Sequence, residues 1–282
     1  MYLLIKEGVE ELCTLENCRR VPRLVLNYVN PNHKFLYASA GVLAITVIVK
    51  YGAGIKNRYF AWLCNKCTNI KFEEYESLKR DLLKSLATLE SHDPQLRIQK
   101  TIKILEVGVG AGANFKFYPV GCHLVAVDPN PHFEKYYNDK RANFPQIKSA
   151  DIVVSTGEAM DMVESNSVDA VVMTLVLCSV RDVTKVISQI KRVLVPGGKF
   201  YFSEHILEFD TEKHAWRRRL QKFLTSTGIW PFIGDGCCLN RDPLPALRAV
   251  GFSDIQYKVF HGPVPVKLFA FLSPHLMGVA TK

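Results

Sequence analysis

The sequence predicts an α/β protein built on a doubly wound, mostly parallel sheet of seven strands. Three observations lead there. Apolar runs recur at 102–107, 122–128, 152–155, 168–180, 199–205, 255–260 and 276–280, each reading as a strand. Stretches with helical spacing lie between the earlier ones, the alternation that builds parallel sheets. The run at 168–180 (VDAVVMTLVLCSV) is almost continuously apolar, as a central strand covered on both faces must be.

Ahead of the sheet the chain divides in two. Residues 1–34 form an N-terminal extension in which Glu7, Glu10, Glu11 and Glu16 give way to Arg19, Arg20 and Arg23, with Pro22 and Pro31 breaking any long helix. A hydrophobic segment at 35–62 follows, opening on fifteen uncharged residues at 35–49 (FLYASAGVLAITVIV). That run is shorter than the roughly 20 residues of a straight membrane span. Snorkelling by Lys50 would lengthen it, and the flanking Lys34, Lys56, Arg58, Tyr37, Tyr51, Tyr59 and Trp62 suit a membrane interface. A buried core helix is the plainer reading of so short a run. With no partner elements near it in sequence, membrane association is the expectation, its orientation left open by basic residues on both sides.

The third region, 72–282, is the expected catalytic domain. It opens with Phe72, Tyr75, Leu78, Leu82, Leu83, Leu86 and Leu89 at helical spacing, a helix either packed on the domain or serving as a lid. The strand from Ile102 ends at Glu106-Val107 and runs straight into Gly108, Gly110 and Gly112. Glycines there let a ligand lie against the main chain. A dinucleotide fingerprint spaces its glycines Gly-x-Gly-x-x-Gly before a long helix. Here the third glycine comes one residue early and Pro119 cuts the next helix short. Glu106 would repel a pyrophosphate but welcome an ammonium group. Together these indicate S-adenosylmethionine (AdoMet), which carries a sulfonium and an ammonium and no phosphate. The next strand ends in Asp128, level with a ribose in doubly wound nucleotide folds.

The remainder alternates. A helix is expected over 131–142, beginning with proline in its first turn, then the third strand, then Gly157-Glu158-Ala159. After the central strand, Val183, Val186, Ile187, Ile190 and Leu194 mark one face of a helix that Pro196-Gly197-Gly198 stops before the strand ending Glu204-His205. A basic helix at 213–222, a glycine-rich loop at 234–238, a helix at 243–250 and two last strands complete the chain. Ligands in such sheets lie beyond the strands' carboxyl ends, the edge that Glu106, Asp128, Cys178, Glu204 and His205 share. His205 is the candidate general base, its ordinary pKa lying near neutrality. A structural histidine is the alternative. Cys178 is the other catalytic candidate, more readily a buried pocket wall than a nucleophile.

The 282 residues carry a net charge of +9, which fits an anionic surface. Arg217-Arg218-Arg219 suits a solvated helix face or lipid head groups. No Asn/Asp-Pro-Pro-Tyr/Phe motif for methylating bases occurs, so no nucleic-acid partner is expected. The eight cysteines include several inside core strands and read as reduced. Cys64-x-x-Cys67 lacks a second pair at ligand spacing, so no metal is expected.

Residues 101–205 resemble the class I AdoMet-dependent methyltransferases, which are Rossmann-like. LEVGVGAGANFKFYP (105–119), DPNPHFEKY (128–136), TLVLCSV (174–180), RVLVPGGKFYFSEH (192–205) and DGC (235–237) are similar to the membrane-anchored methyltransferase-like seven family, whose members methylate alkyl thiols. The similarity spans about 35–282, with residues 1–34 a departure. It implies AdoMet as cofactor, held by Glu106, Gly108, Gly110, Gly112 and Asp128, with Gly157, Glu158 and Ala159 lining the adenine and with Asp235 and Cys237 in a substrate-facing region. It further implies a small lipophilic thiol as acceptor and an endoplasmic reticulum or lipid-droplet membrane as location, with a cytosolic catalytic domain. The alternatives are the same fold acting on a quinone, sterol or other lipid, and a non-catalytic membrane or lipid-droplet interaction protein.

Overall fold

The computed structural model describes residues 52, 54–70, 72–149, 152–264 and 266–282. The extension at 1–34 and the apolar run at 35–49 lie outside the described residues. Among the described ones, no helix is long and apolar enough to cross a membrane. Lys56–Lys282 form one unit, which holds the sheet.

Three helices precede the sheet, the first two being α1, helical over 56–68, and α2 (Glu73–Leu83). The periodicity that pointed to one helix as far as Leu89 breaks after Leu83 into a 3-10 segment, Lys84–Thr88. A short helix α3 (Pro94–Ile98) comes next, capped by Asp93, whose carboxylate accepts from the amides of Gln95 and Leu96.

The strands are β1 (Lys103–Val107), β2 (His123–Asp128), β3 (Lys148–Ser149), β4 (Val153–Val154), β5 (Val168–Thr174), β6 (Leu194–His205), β7 (Asp254–His261) and β8 (Pro274–Thr281). The helices among them are α4 (Glu134–Arg141), α5 (Val183–Val193), α6 (Ala215–Ser226), α7 (Ile229–Ile233) and α8 (Leu244–Val250). The order across the sheet is β3-β2-β1-β5-β6-β8-β7, with β4 also on β2. Pairing is parallel except for β8, which is antiparallel to both β6 and β7.

The third strand is two two-residue pieces, so eight strands occupy seven positions: β3 meets β2 at His123 and Leu124, β4 at Val127 and Asp128. The apolar run at 168–180 leaves the sheet at Thr174, because Leu175 takes a left-handed conformation (φ +60°). The rest of the run is loop, in which Leu177, Cys178 and Val180 are buried while Leu175 is exposed. An apolar run records burial, and burial alone does not separate strand from loop. Nor does Pro196-Gly197-Gly198 delay the next strand. β6 runs through it from Leu194, with a register shift opposite Val168 and Ala170.

Alternation along the strands divides the core into two layers. Leu105, Val107, Val171, Met173, Phe200 and Phe202 pack with Val186, Ile187 and Ile190 of α5. Ile104, Ala170, Val172 and Tyr201 pack with Leu83, Leu86, Phe115 and Tyr137. Asp169 fastens the entry to β1. Its buried carboxylate accepts from the Ser91 hydroxyl, the His92 amide and the Lys103 amide, each at 2.8 Å.

Replacing Asp169 with alanine orphans all three donors. We expect Asp169→Ala to cost roughly 3 kcal/mol, lowering the thermal midpoint by about 10 °C. A loss below about 1 kcal/mol in denaturant unfolding would show the staple to be dispensable.

Candidate active site

The glycine turn sits at the carboxyl end of β1. Gly108 has φ +72°, and a Cβ built on it would collide with Val176 in the loop after β5. At Gly112 (φ +76°) a Cβ would lie 2.7 Å from the Phe115 ring. Backbone therefore runs flush against two neighbouring groups where only glycine fits. The next element is a single 3-10 turn, Phe115–Phe117, in keeping with the stop that Pro119 imposes. Asp128 closes the glycine turn from β2: one carboxylate oxygen accepts from the Gly110 amide at 3.0 Å and the other from the Asn130 amide at 2.9 Å. Burial pushes its pKa up to about 6.

Glu106 is almost wholly buried. Its Oε1 accepts from Asn114 Nδ2 at 2.7 Å, and its Oε2 is buried without a hydrogen bond among the described residues. Burial pushes the pKa up to about 7, partly offset by the Tyr118 hydroxyl, the Asn114 amide and the Lys79 charge. Lys79 comes from α2. Its Nζ donates to Asn114 Oδ1 at 3.0 Å and lies 5.3 Å from the centre of the Phe117 ring. Burial pulls its pKa down to about 8. Asn114 also donates to Thr174 Oγ1 at 3.1 Å, joining this network to the end of β5. A glycine cradle and a buried carboxylate oxygen with an open lone pair fit an ammonium-bearing cofactor that lies along the main chain. AdoMet would be held there by Glu106 and by the backbone at Gly108, Gly110 and Gly112, with Asp128 at its ribose.

Two features of this seat come from the chain ahead of the sheet, the first being the helix expected either to pack on the domain or to serve as a lid, whose Lys79 was not read from the sequence. Lys79 and Tyr75 stand four apart on one face of α2, which makes that helix the roof of the seat. Tyr75 places its hydroxyl 3.5 Å from Ser203 Oγ on β6. The signal for Lys79 was a polar residue interrupting the apolar helical stripe that already included Tyr75. The second feature is α1, which covers the Asp128 side. The Asn57 carbonyl accepts from Asn130 Nδ2 at 2.9 Å, Phe60 meets Phe133 edge-on, and Lys56 pairs with Asp235 at 3.2 Å. Burial, with the Cys67, Asp128 and Asp235 charges adding, pushes the Cys64 thiol up to about 12. Asp235, strained at φ +49°, thus lies on the cofactor edge. Tyr59 and Trp62, assigned from the sequence to a membrane flank, belong to this helix.

The third-strand loop is pinned in place. A Cβ on Gly157 would press on Val186 and Val107 at 3.2 and 3.3 Å. Glu158 Oε1 accepts from the Arg181 and Asp182 amides at 2.7 and 3.2 Å, so its carboxylate braces the start of α5. Ala159 closes a turn onto the Thr156 carbonyl.

Cys178 and Cys237 come together, in a small apolar cluster with Leu239, Phe271 and the partly buried Leu220, Trp230 and Leu272. The hydrogen bond to Cys237 and burial hold the Cys178 thiol well above its ordinary pKa, which suits a pocket wall and not a nucleophile. His205 lacks the near-neutral pKa expected of a base. Its ring packs edge-on against His275, 4.9 Å between centres, and burial, with His275 adding, pushes its pKa down to about 3. A weakly basic, neutral imidazole results. Glu204 points into the loop after β5, its carboxylate accepting from the Val176 and Leu177 amides.

Glu106 supplies a pH test. An ammonium-bearing cofactor selects its ionised form, so affinity should be full above pH 7 and fall by up to tenfold per unit as pH drops below it. In Glu106→Gln we expect roughly 10- to 100-fold weaker AdoMet binding at pH 8 and no such fall, read by calorimetry. An unchanged acid limb in the variant would remove Glu106 from the seat.

The comparisons with known proteins agree with this geometry. Residues 105–202 match the family described as "Methyltransferase domain". The chain is 38% identical to human thiol S-methyltransferase TMT1B over 224 residues, 79% of this chain and 86% of that one. With human thiol S-methyltransferase TMT1A the identity is 37% over 232 residues, 79% and 89% of the two chains. Among solved structures, a geranyl diphosphate methyltransferase in complex with GPP and sinefungin shares the fold, with a TM-score of 0.53 at 14% identity over 73% of this chain and 77% of that one. On this similarity the chain belongs to the thiol S-methyltransferase family and is an AdoMet-dependent methyltransferase.

Proposed function

We propose that the enzyme transfers the methyl group of AdoMet to the sulfur of small lipophilic alkyl thiols. It does so while associated, through the apolar run at 35–49, with the endoplasmic reticulum membrane or the lipid-droplet surface, its catalytic domain facing the cytosol. The observation that carries the reading is the similarity to two thiol S-methyltransferases over most of the chain.

The site supports it in three respects. When bound, AdoMet supplies an electrophilic methyl group on a sulfonium. A thiolate meeting it cancels charge, so a dry, apolar acceptor side loses little stabilisation with the water it excludes. The cluster around Cys178, Cys237 and Phe271 is such a wall. Second, Cys178 is kept protonated by its partner and by burial, which prevents it from competing as an acceptor. Third, α1 and α2 close the seat from above, fixing the cofactor so that nucleophile and methyl meet at attack distance.

The thiolate comes from the acceptor's own ionisation. A free thiol with pKa near 8.5 is a few per cent ionised at neutral pH, and His205 is too weakly basic to raise that fraction. The full chain, assayed with AdoMet, should methylate alkyl thiols and leave quinone and sterol acceptors untouched. Its rate should climb about tenfold per pH unit until the acceptor's own pKa, with the limb moving from thiol to thiol. His205→Asn should leave that limb in place. Methylation confined to non-thiols would overturn the thiol assignment, and a limb that moved with the His205 variant would restore the histidine as base.

A further inference from the structure

Behind the Cys178–Cys237 cluster the surface is apolar in an unusual way. α7 exposes Ile229, Phe232 and Ile233, and the stretch at 266–269 exposes Val266, Leu268 and Phe269, with Phe232 at 71% and Leu268 at 78% of full exposure. Large apolar side chains scattered singly need no explanation, but a contiguous group marks an interaction site. Trp230 makes these contiguous. Its ring lies 4.9 Å from Phe271 and 6.5 Å from Phe269, so α7 and the second stretch meet across it. Trp230 and Phe271 also pack in the cluster that holds Cys178 and Cys237.

The charge around this face is predominantly basic, the exception being Asp235 just beyond α7, which is paired with Lys56. From Lys213 to Gly234 the chain holds five basic residues and no acidic one. Arg217 is buried and paired with Glu208, which leaves Arg219 and Lys222 exposed on α6, the helix that packs on α7, with Lys213 exposed ahead of it. Lys267 stands exposed within the second stretch, and Lys56 Nζ lies 5.9 Å from the centre of the Phe232 ring. Exposed aromatic and aliphatic tips ringed by lysine and arginine are the composition that inserts shallowly into a headgroup layer and is drawn to anionic lipid.

We propose that α7 and residues 266–269 form a docking face for an anionic bilayer, which holds the acceptor wall of the active site against the lipid. This face belongs to the catalytic domain and is distinct in sequence from the run at 35–49. The proposal does not depend on which acceptor is methylated, because contact with lipid is read without turnover.

Hydrogen–deuterium exchange on the full chain tests it with three samples: no vesicles, phosphatidylcholine vesicles, and phosphatidylcholine vesicles containing phosphatidylserine. On the phosphatidylserine vesicles, peptides covering 229–234 and 266–272 should exchange several-fold more slowly, and high salt should reverse part of that protection. Phe232→Glu combined with Leu268→Glu should abolish it while AdoMet binding, measured alongside, shows the variant folded. Unchanged exchange on phosphatidylserine would overturn the proposal, as would equal protection on both kinds of vesicle. Protection that appears without vesicles and grows with protein concentration would assign the face to a second copy of this chain instead.

Discussion

A carboxylate shut away from water at the end of β1 sets the terms for everything around it. Removing an ionised group from solvent costs several kcal/mol unless partners replace the lost hydration. At Glu106 the replacement is partial: the Tyr118 hydroxyl favours the charge, one oxygen has Asn114, the other makes no hydrogen bond of ordinary length among the described residues, and the nearby cation is Lys79, itself pulled toward neutrality by burial. The free protein thus holds the group near its ionisation midpoint. Such a site is unfavourable for the fold and favourable for a cationic ligand, which is how binding energy is reserved for function.

Because Lys79 stands on α2, the roof helix and the cofactor seat are one electrostatic system. Asn114 accepts from Lys79 through its carbonyl oxygen and donates through its nitrogen to Glu106 and Thr174, so its amide orientation is fixed from both sides. α2 is further held by the Glu76–Lys116 pair, and the segment after it by the Ser85–Tyr201 hydrogen bond at 2.8 Å. On the other side, α1 is secured by Asn130, whose own amide donates to Asp128. Both carboxylates of the seat are therefore one residue removed from a helix that precedes the sheet. That preceding chain is part of the site.

What could be read from the sequence divides along the range of the interactions involved. Gly108, Gly112 and Asp128 were legible because their roles are dictated by backbone sterics and by a strand end, both local. The one-turn helix after the glycines was legible from Pro119 for the same reason. Lys79 and Asn114 were not, since their meaning comes from meeting across 35 residues of chain. The pKa of His205 was misjudged because burial against His275, on a strand 70 residues later in the chain, has no local signature. The central apolar run was read as a strand to Val180, since the loop beyond Thr174 is equally apolar and buries Leu177, Cys178 and Val180.

Glu204 shows how strand geometry sorts the remaining candidates. Neighbours on a strand face opposite sides of the sheet, so Glu204 and His205 cannot serve the same pocket although both end β6. Ser203 and His205 share the face of Tyr75 and His275. Glu204 turns the other way and brackets the Val176 and Leu177 amides, while the Leu175 amide donates to the Ser203 carbonyl. Those bonds hold Leu175 at its positive φ and press Val176 against Gly108, where any Cβ would collide with it. A buried carboxyl on β6 thereby determines how closely the β5 loop approaches the glycine turn on β1. Burial outweighs its three backbone bonds and pushes its pKa up to about 8, so at neutral pH the bracket is largely uncharged. It shapes the seat without adding a third negative charge beside Glu106 and Asp128.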